Sequence, residues 1–401
     1  MTAFLRQGAW LTQGRVRRIA IINAIAGAAM LLFLLVTTRG TIDIFGRPLG
    51  TDFSVFWNAG HLANEGRAAG AWNPAVLNAA AHRFHGGDVG DSAWLYPPVF
   101  MLIASPLAAM PYVWALILWQ VFGIAVLAAA LALILRDRVA VLICLASPLT
   151  PLVLGHGQNA FLTAALLGGG LVLLERQPGF AGGLLGALAY KPQLGLMIAP
   201  LLIFTQSWRA VAAGALVATI LCALSYALWG AAAWQAFFAS LHLGRSFMEV
   251  GAVGFYKSAS LFAMARQWGA PVALGYVIQA LGAVAGLAMI WRLRFAEADI
   301  RAAGACAALA MSTPYLLDYD VAIVGVGAAF LYAAAARSRF LGYERTALAF
   351  IWVAPWLARP AAQYLTLPLG PLAMFVLAAL ALRRADITAS PSRHSHAASA
   401  P

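Results

Sequence analysis

The sequence predicts an all-α polytopic membrane protein. Three observations carry that reading. Of 401 residues, 63% are hydrophobic and only 10% are charged, whereas a soluble domain is roughly a quarter charged. The mean hydropathy is +0.82, more apolar surface than a soluble core can hide. Apolar runs of about 20 residues recur, long enough for a helix to cross a bilayer, and basic residues stand at their ends. Inside lipid every backbone group must be bonded within the segment, so the runs read as helices.

The net charge of +12 fits loops that stay cytoplasmic and touch anionic lipid. No basic-aromatic module accompanies it, so nucleic acid is not an expected partner. The three cysteines, Cys144, Cys222 and Cys306, lie inside apolar runs and read as packed small hydrophobes. No CxxC framework is present.

With the N-terminus (1–18) inside, Arg6, Arg15, Arg17 and Arg18 precede an outgoing span at 19–37, read as an uncleaved signal anchor. A polar outer loop follows at 39–93, far longer than an ordinary connection. Residues 94–111, bracketed by Pro97, Pro98 and Pro111, read as a re-entrant or interfacial helix, or as a short span. Spans follow at 112–135, 139–154 and 161–174. Two short helices at 180–189 and 194–204 flank Tyr190-Lys191-Pro192-Gln193. After the span at 210–229 comes a second polar stretch, 231–269. Spans at 271–291, 302–316, 321–336, 346–357 and 367–382 complete about twelve crossings. Residues 385–401 read as a disordered cytoplasmic tail. Most of the 26 Lys and Arg then fall inside, as the positive-inside rule requires. The expected location is the inner or plasma membrane, with both termini cytoplasmic.

This topology gathers the unusual polar residues on the outer face. Asp52 stands at a membrane edge among Phe53, Phe56 and Trp57, where a carboxylate is costly without a task; it is the candidate base. Asp88 and Asp91 share its loop. Gly155-His156-Gly157-Gln158-Asn159 reads either as a helix start that cradles an anion or as a turn capped by Asn159. Lys191 either meets a lipid phosphate or snorkels to the interface. Asp318 and Asp320 can ligate a divalent cation, bind sugar hydroxyls, pair with Lys191 or Arg245, or cap the next helix. Arg245, Glu249 and Lys257 read as a solvated face or as cations reaching a phosphate. His82-Arg83-Phe84-His85 lacks a third metal ligand. Gly182 and Gly186 have the spacing of close helix packing.

Five segments occur in a telling order: Asp52-Phe53 with Trp57 and Ala59, Tyr96-Pro97-Pro98, Gly157-Gln158-Asn159, Lys191-Pro192, and Pro314-Tyr315 with Asp318-Tyr319-Asp320. Together they resemble glycosyltransferase family 87, the polyprenol-phosphate-mannose-dependent mannosyltransferase-like proteins of the GT-C fold, over roughly 52–336. The resemblance implies a GT-C-type bundle that moves a hexose from a polyprenyl-phosphate sugar to a lipid or glycan acceptor on the extracytoplasmic side. It implies Asp52 as the base. His156, Gln158, Asn159, Lys191, Gln193, Arg245, Lys257, Tyr315, Asp318 and Asp320 are the candidates for holding the donor's phosphate and sugar. No metal site or cofactor is implied, and a divalent cation enters only through Asp318 and Asp320. The competing reading is a transporter or lipid flippase, which calls for repeated halves and ionisable groups at mid-membrane.

Overall fold

The computed structural model describes residues 2–87 and 89–388. Asp88 and the part of the expected tail from residue 389 onward lie outside the described residues. All regular structure among them is helical, apart from isolated bridges such as Arg39 with Ile42.

A short α1 (Thr2–Gln7) precedes α2 (Gln13–Thr37), whose first turn is capped by the Thr12 hydroxyl. The stretch 39–93, expected to be the outer loop, contains α3 (Thr51–Asn64) and α4 (Pro74–His85). The second starts with an Asn73 cap and a proline and stops at Gly86, in left-handed backbone. Then come α5 (Met101–Ala108), α6 (Tyr112–Leu135), α7 (Arg138–Leu145), α8 (Leu149–His156) and α9 (Ala160–Leu173). Next are α10 (Pro178–Gly186), α11 (Gly195–Phe204) and α12 (Trp208–Val250), the last broken at Gly230 by a non-helical residue. The chain closes with α13 (Leu261–Gln267), α14 (Val272–Leu293), α15 (Ala298–Ser312), α16 (Ala322–Arg337), α17 (Glu344–Leu365) and α18 (Leu369–Thr388).

Five helices are long and apolar enough to cross a membrane, six if α7 and α8, bent by 56°, count as one. The expected number of about twelve therefore depends on shorter helices: α9, α10, α11 and α15 are each 15 residues or fewer. Their brevity goes with burial, since α15 is enclosed almost throughout. The segment 98–108 covers about 16 Å at 1.5 Å per residue, half a bilayer, and packs on α3. The second polar stretch is helical as far as Val250. The last helix runs to Thr388, four residues into the segment read as tail.

The faces of α2, α6 and α14 turned away from the bundle carry exposed Ile22, Ile25, Val121, Val277 and Val284, an apolar surface that lipid covers. Inside, α10 presses on α12: a Cβ at Gly182 would lie 2.2 Å from the Ala210 carbonyl, and one at Gly186 2.3 Å from that of Gly214. The glycine spacing marks this contact, as read from the sequence.

Charge collects at the two ends of the bundle. At one end Arg301 meets Glu175 (2.6 Å), Arg337 meets Glu297 (2.9 Å) and Arg384 pairs with a fully buried Glu344. The other end holds Asp52, Lys191, Asp318, Asp320 and Arg359. Helices α9, α16, α17 and α18 run between the two.

Candidate active site

Asp52 is set in the first turn of α3, where the helix dipole favours a carboxylate. The turn after α8 comes up against it. Gly157 has φ +64, and a Cβ there would sit 2.5 Å from that of Phe53. Only glycine allows this approach, and it carries the next residue to the acid: Gln158 Nε2 donates to Asp52 Oδ2 at 3.0 Å. Gln158 Oε1 in turn accepts from the Asn159 amide (2.7 Å) and the Tyr96 hydroxyl (3.3 Å). Trp119 Nε1 donates to the Gly157 carbonyl at 3.0 Å and holds the turn from behind. Among the described residues nothing donates to the other Asp52 oxygen. Burial pushes the Asp52 carboxyl above the usual carboxylate range; His156 and the Gln158 bond pull it down, and Asp318 adds to the rise. Burial also pushes the Tyr96 and Tyr315 phenols up, so both remain hydrogen-bond donors.

Asn159 occupies the cap position of α9 without making a side-chain cap. Its carboxamide is fully buried, lacks a well-formed hydrogen bond and lies beside Tyr96. His156 Nδ1 is 2.7 Å from the Thr51 hydroxyl and its Nε2 is 3.0 Å from Arg359. A guanidinium only donates. Nε2 therefore accepts, which assigns the proton to Nδ1 and the hydrogen bond from it to Thr51.

Lys191 neither snorkels nor stands free. Its Nζ is 2.6 Å from Asp320 Oδ1, and both side chains are buried. The other Asp320 oxygen accepts from the Leu317 amide at 3.3 Å. Asp318 is gripped from two sides by the Arg359 guanidinium, through Nε and through NH2 at 3.3 Å. Each aspartate is thus neutralised by its own cation. No group of three His, Cys, Asp or Glu gathers among the described residues.

A two-residue bridge, Ser258 with Leu317, folds the second polar stretch over the site. It brings Lys257 within electrostatic reach of His156 and leaves its Nζ over the Tyr256 ring, 5.8 Å from the centroid. Tyr315 lies close enough to Asp52 and Asp320 to feel both charges. Two candidates are not drawn in. Arg245 is on the surface, paired with Glu249 at 2.8 Å and lying over Tyr276. Gln193 is half-buried in the turn after Lys191 with no side-chain hydrogen bond among the described residues. The His82-Arg83-Phe84-His85 segment holds the outer loop instead. His85 bridges the hydroxyls of Thr41 (2.7 Å) and Ser54 (2.8 Å), and burial lowers its pKa to about 4.

The sequence reading missed Arg359 and left Tyr96 without a role. Arg359 lies in α17 between Pro355 and Pro360, just past the end of the expected span at 357. A cation at the outer end of an apolar helix, against the positive-inside bias, was the available signal.

From the site a partly open groove of about 830 Å³ extends between α6, α7, α16 and α17. Asp318 and Tyr256 line its head, and Arg17 and Arg345 line the far end. Between them the walls are mainly apolar, including Leu127, Leu131, Val324 and Ile351. It follows α17 from Arg345 to Ala362, about 25 Å of helix.

The described residues thus form a helical bundle in which a cluster of carboxylate–cation pairs reaches, through Asp318, the head of an apolar groove. The family model of glycosyltransferase family 87 matches residues 94–317, more than half of the chain. The chain belongs to that family and is a membrane glycosyltransferase. The matched segment starts after Asp52 and stops before Asp318, inside the wider 52–336 of the expected resemblance. No curated protein and no solved structure matches the chain.

Proposed function

We propose that the protein transfers a mannose-like hexose from a polyprenyl-phosphate sugar to a lipid or glycan acceptor of the cell envelope. In this reading Asp52 is the general base, on the extracytoplasmic face of the inner or plasma membrane. The bundle is GT-C-like, with about twelve crossings once the short helices are counted, and both termini are cytoplasmic. One observation carries the reading: a carboxylate with an open oxygen stands beside two carboxylate–cation pairs, one of which, through Asp318, reaches the head of a long apolar groove.

The groove suits an amphiphile whose tail lies between helices and whose phosphate stays at the polar end. The acceptor hydroxyl loses its proton to Asp52 as its oxygen bonds to C1 of the sugar. The bond from C1 to the phosphate oxygen breaks, and its electron pair leaves with the phosphate. One carboxylate is enough for such an inverting displacement, and the leaving group is already anionic, so no acid is required. Cations next to the groove head, Arg359 on Asp318 among them, stabilise the charge that develops there. In this reading Tyr315 and Asn159 hydrogen-bond sugar hydroxyls, a role supported by the buried Asn159 carboxamide that lacks a well-formed hydrogen bond.

The transporter reading asks for ionisable groups at mid-membrane, whereas the charged pairs gather at the two ends. The test is incubation of purified protein with a panel of polyprenyl-phosphate sugars and envelope acceptors, read by mass spectrometry. Asp52→Asn is expected to remain folded and inserted and to lose transfer by about 10²- to 10⁴-fold. Full activity in that variant removes Asp52 as the base.

A further inference from the structure

We propose that Arg359 receives the donor's phosphate, and that the Asp318 carboxylate occupies the phosphate's place while the site is empty. The inference rests on the donor class proposed above and concerns residues beyond the matched family segment.

Three cations stand around the site, and none of them lines the groove itself, whose head Asp318 reaches. Lys191 is buried on Asp320, and that carboxylate is fixed a second time by the Leu317 amide. Lys257 lies over Tyr256, away from the carboxylates. Arg359 differs from both. Its side chain is 30% exposed, and its guanidinium holds Asp318 through two nitrogens. Asp318 accepts no other hydrogen bond among the described residues. It is therefore the carboxylate that can leave, and Asp320 the one that cannot.

Asp318 also lines the head of the groove. A lipid with its tail in the groove brings its phosphate to this carboxylate, and two anions repel there. The fork of a guanidinium fits phosphate oxygens as well as carboxylate oxygens. Exchange on Arg359 removes the repulsion and keeps both hydrogen bonds. The local helix is suited to such a shift. Pro360 follows Arg359 and has no amide to donate back along α17, and Pro355 opens a second gap one turn earlier.

The exchange reaches the base. Arg359 also donates to His156, whose other nitrogen meets Thr51, the neighbour of Asp52. A phosphate on Arg359 is thus linked, through His156 and Thr51, to the start of α3.

The experiment measures binding of a polyprenyl phosphate without sugar, and of the matching polyprenol, to protein in nanodiscs by native mass spectrometry. Melting curves check the fold of each variant. Wild type is expected to prefer the phosphate. Arg359→Ala should weaken phosphate binding by at least about tenfold, the value of a charge-assisted hydrogen bond, and leave polyprenol binding unchanged. Arg359→Lys, which keeps the charge and loses the fork, should fall between. Asp318→Asn should bind the phosphate several-fold more tightly than wild type, because the competitor is gone. A purely structural ion pair predicts the opposite sign for that variant. Equal or weaker phosphate binding by folded Asp318→Asn overturns the stand-in role. If Asp318→Asn does not fold, wild-type affinity in Arg359→Ala or Arg359→Lys overturns the proposal. No preference for phosphate in wild type removes the donor class itself, a separate failure.

Discussion

The proposed role of Asp52 as general base requires it to be ionised when its substrate arrives, and it stands where ionisation is costly. Burial raises its pKa above that of an ordinary carboxylate, near 4. Transfer should therefore rise with pH along a limb displaced upward from that value, and a rate–pH profile at saturating donor measures it. The stability effect has the opposite sign. The folded chain holds this proton to higher pH than the unfolded chain does, so Asp52 costs stability as pH rises between the two values. Asp52→Asn should melt no lower than wild type at neutral pH. An inactive variant with a depressed melting point would show lost structure and not lost chemistry. Asp52 was legible in the sequence because an acid beside aromatics at a span end is rare. Its partner Gln158 was legible only as part of a glycine-flanked turn. Arg359 was not, because the partner that gives it meaning, Asp318, is 41 positions away in sequence.

At the scale of elements, the contact between the α8–α9 turn and α3 decides the site. Gly157→Ala would force a side chain into left-handed backbone and against Phe53. The expected cost is about 1–3 kcal/mol in stability. The expected loss of transfer is larger, at least about tenfold, because displacing a catalytic group by ~1 Å can cost 10²-fold. Melting and transfer assays on one preparation separate the two effects. Helix positions were largely readable, since apolar runs and their caps are local. Their lengths were less so: α12 continues past Gly230 because its second half is amphipathic and rests on the outer-loop turn at Ala68–Trp72. Polar content there looked like a loop.

At the scale of the molecule, sorting of charge to two ends was foreseeable from Arg and Lys positions. The pairing within each end was less so: Lys191 with Asp320 was one of several readings, and Arg384 with Glu344, which joins distant segments, was not foreseen. The proposed orientation puts the Asp52 end outside. Phe45 is 73% exposed at that end and Phe295 is 82% exposed at the other. In intact cells a membrane-impermeant maleimide should label Phe45→Cys and reach Phe295→Cys only after permeabilisation. The reverse pattern would invert the topology.

The groove that joins the two ends changes the arithmetic of catalysis. If the donor is the proposed polyprenyl-phosphate sugar, it is met by diffusion in a plane, and the relevant concentration is its mole fraction among lipids. At a fixed bulk amount of donor, adding inert lipid or detergent should slow the enzyme by dilution in that plane. Under the proposed function tail length would then become part of substrate identity, because the groove walls would meet the chain before the sugar met Asp52.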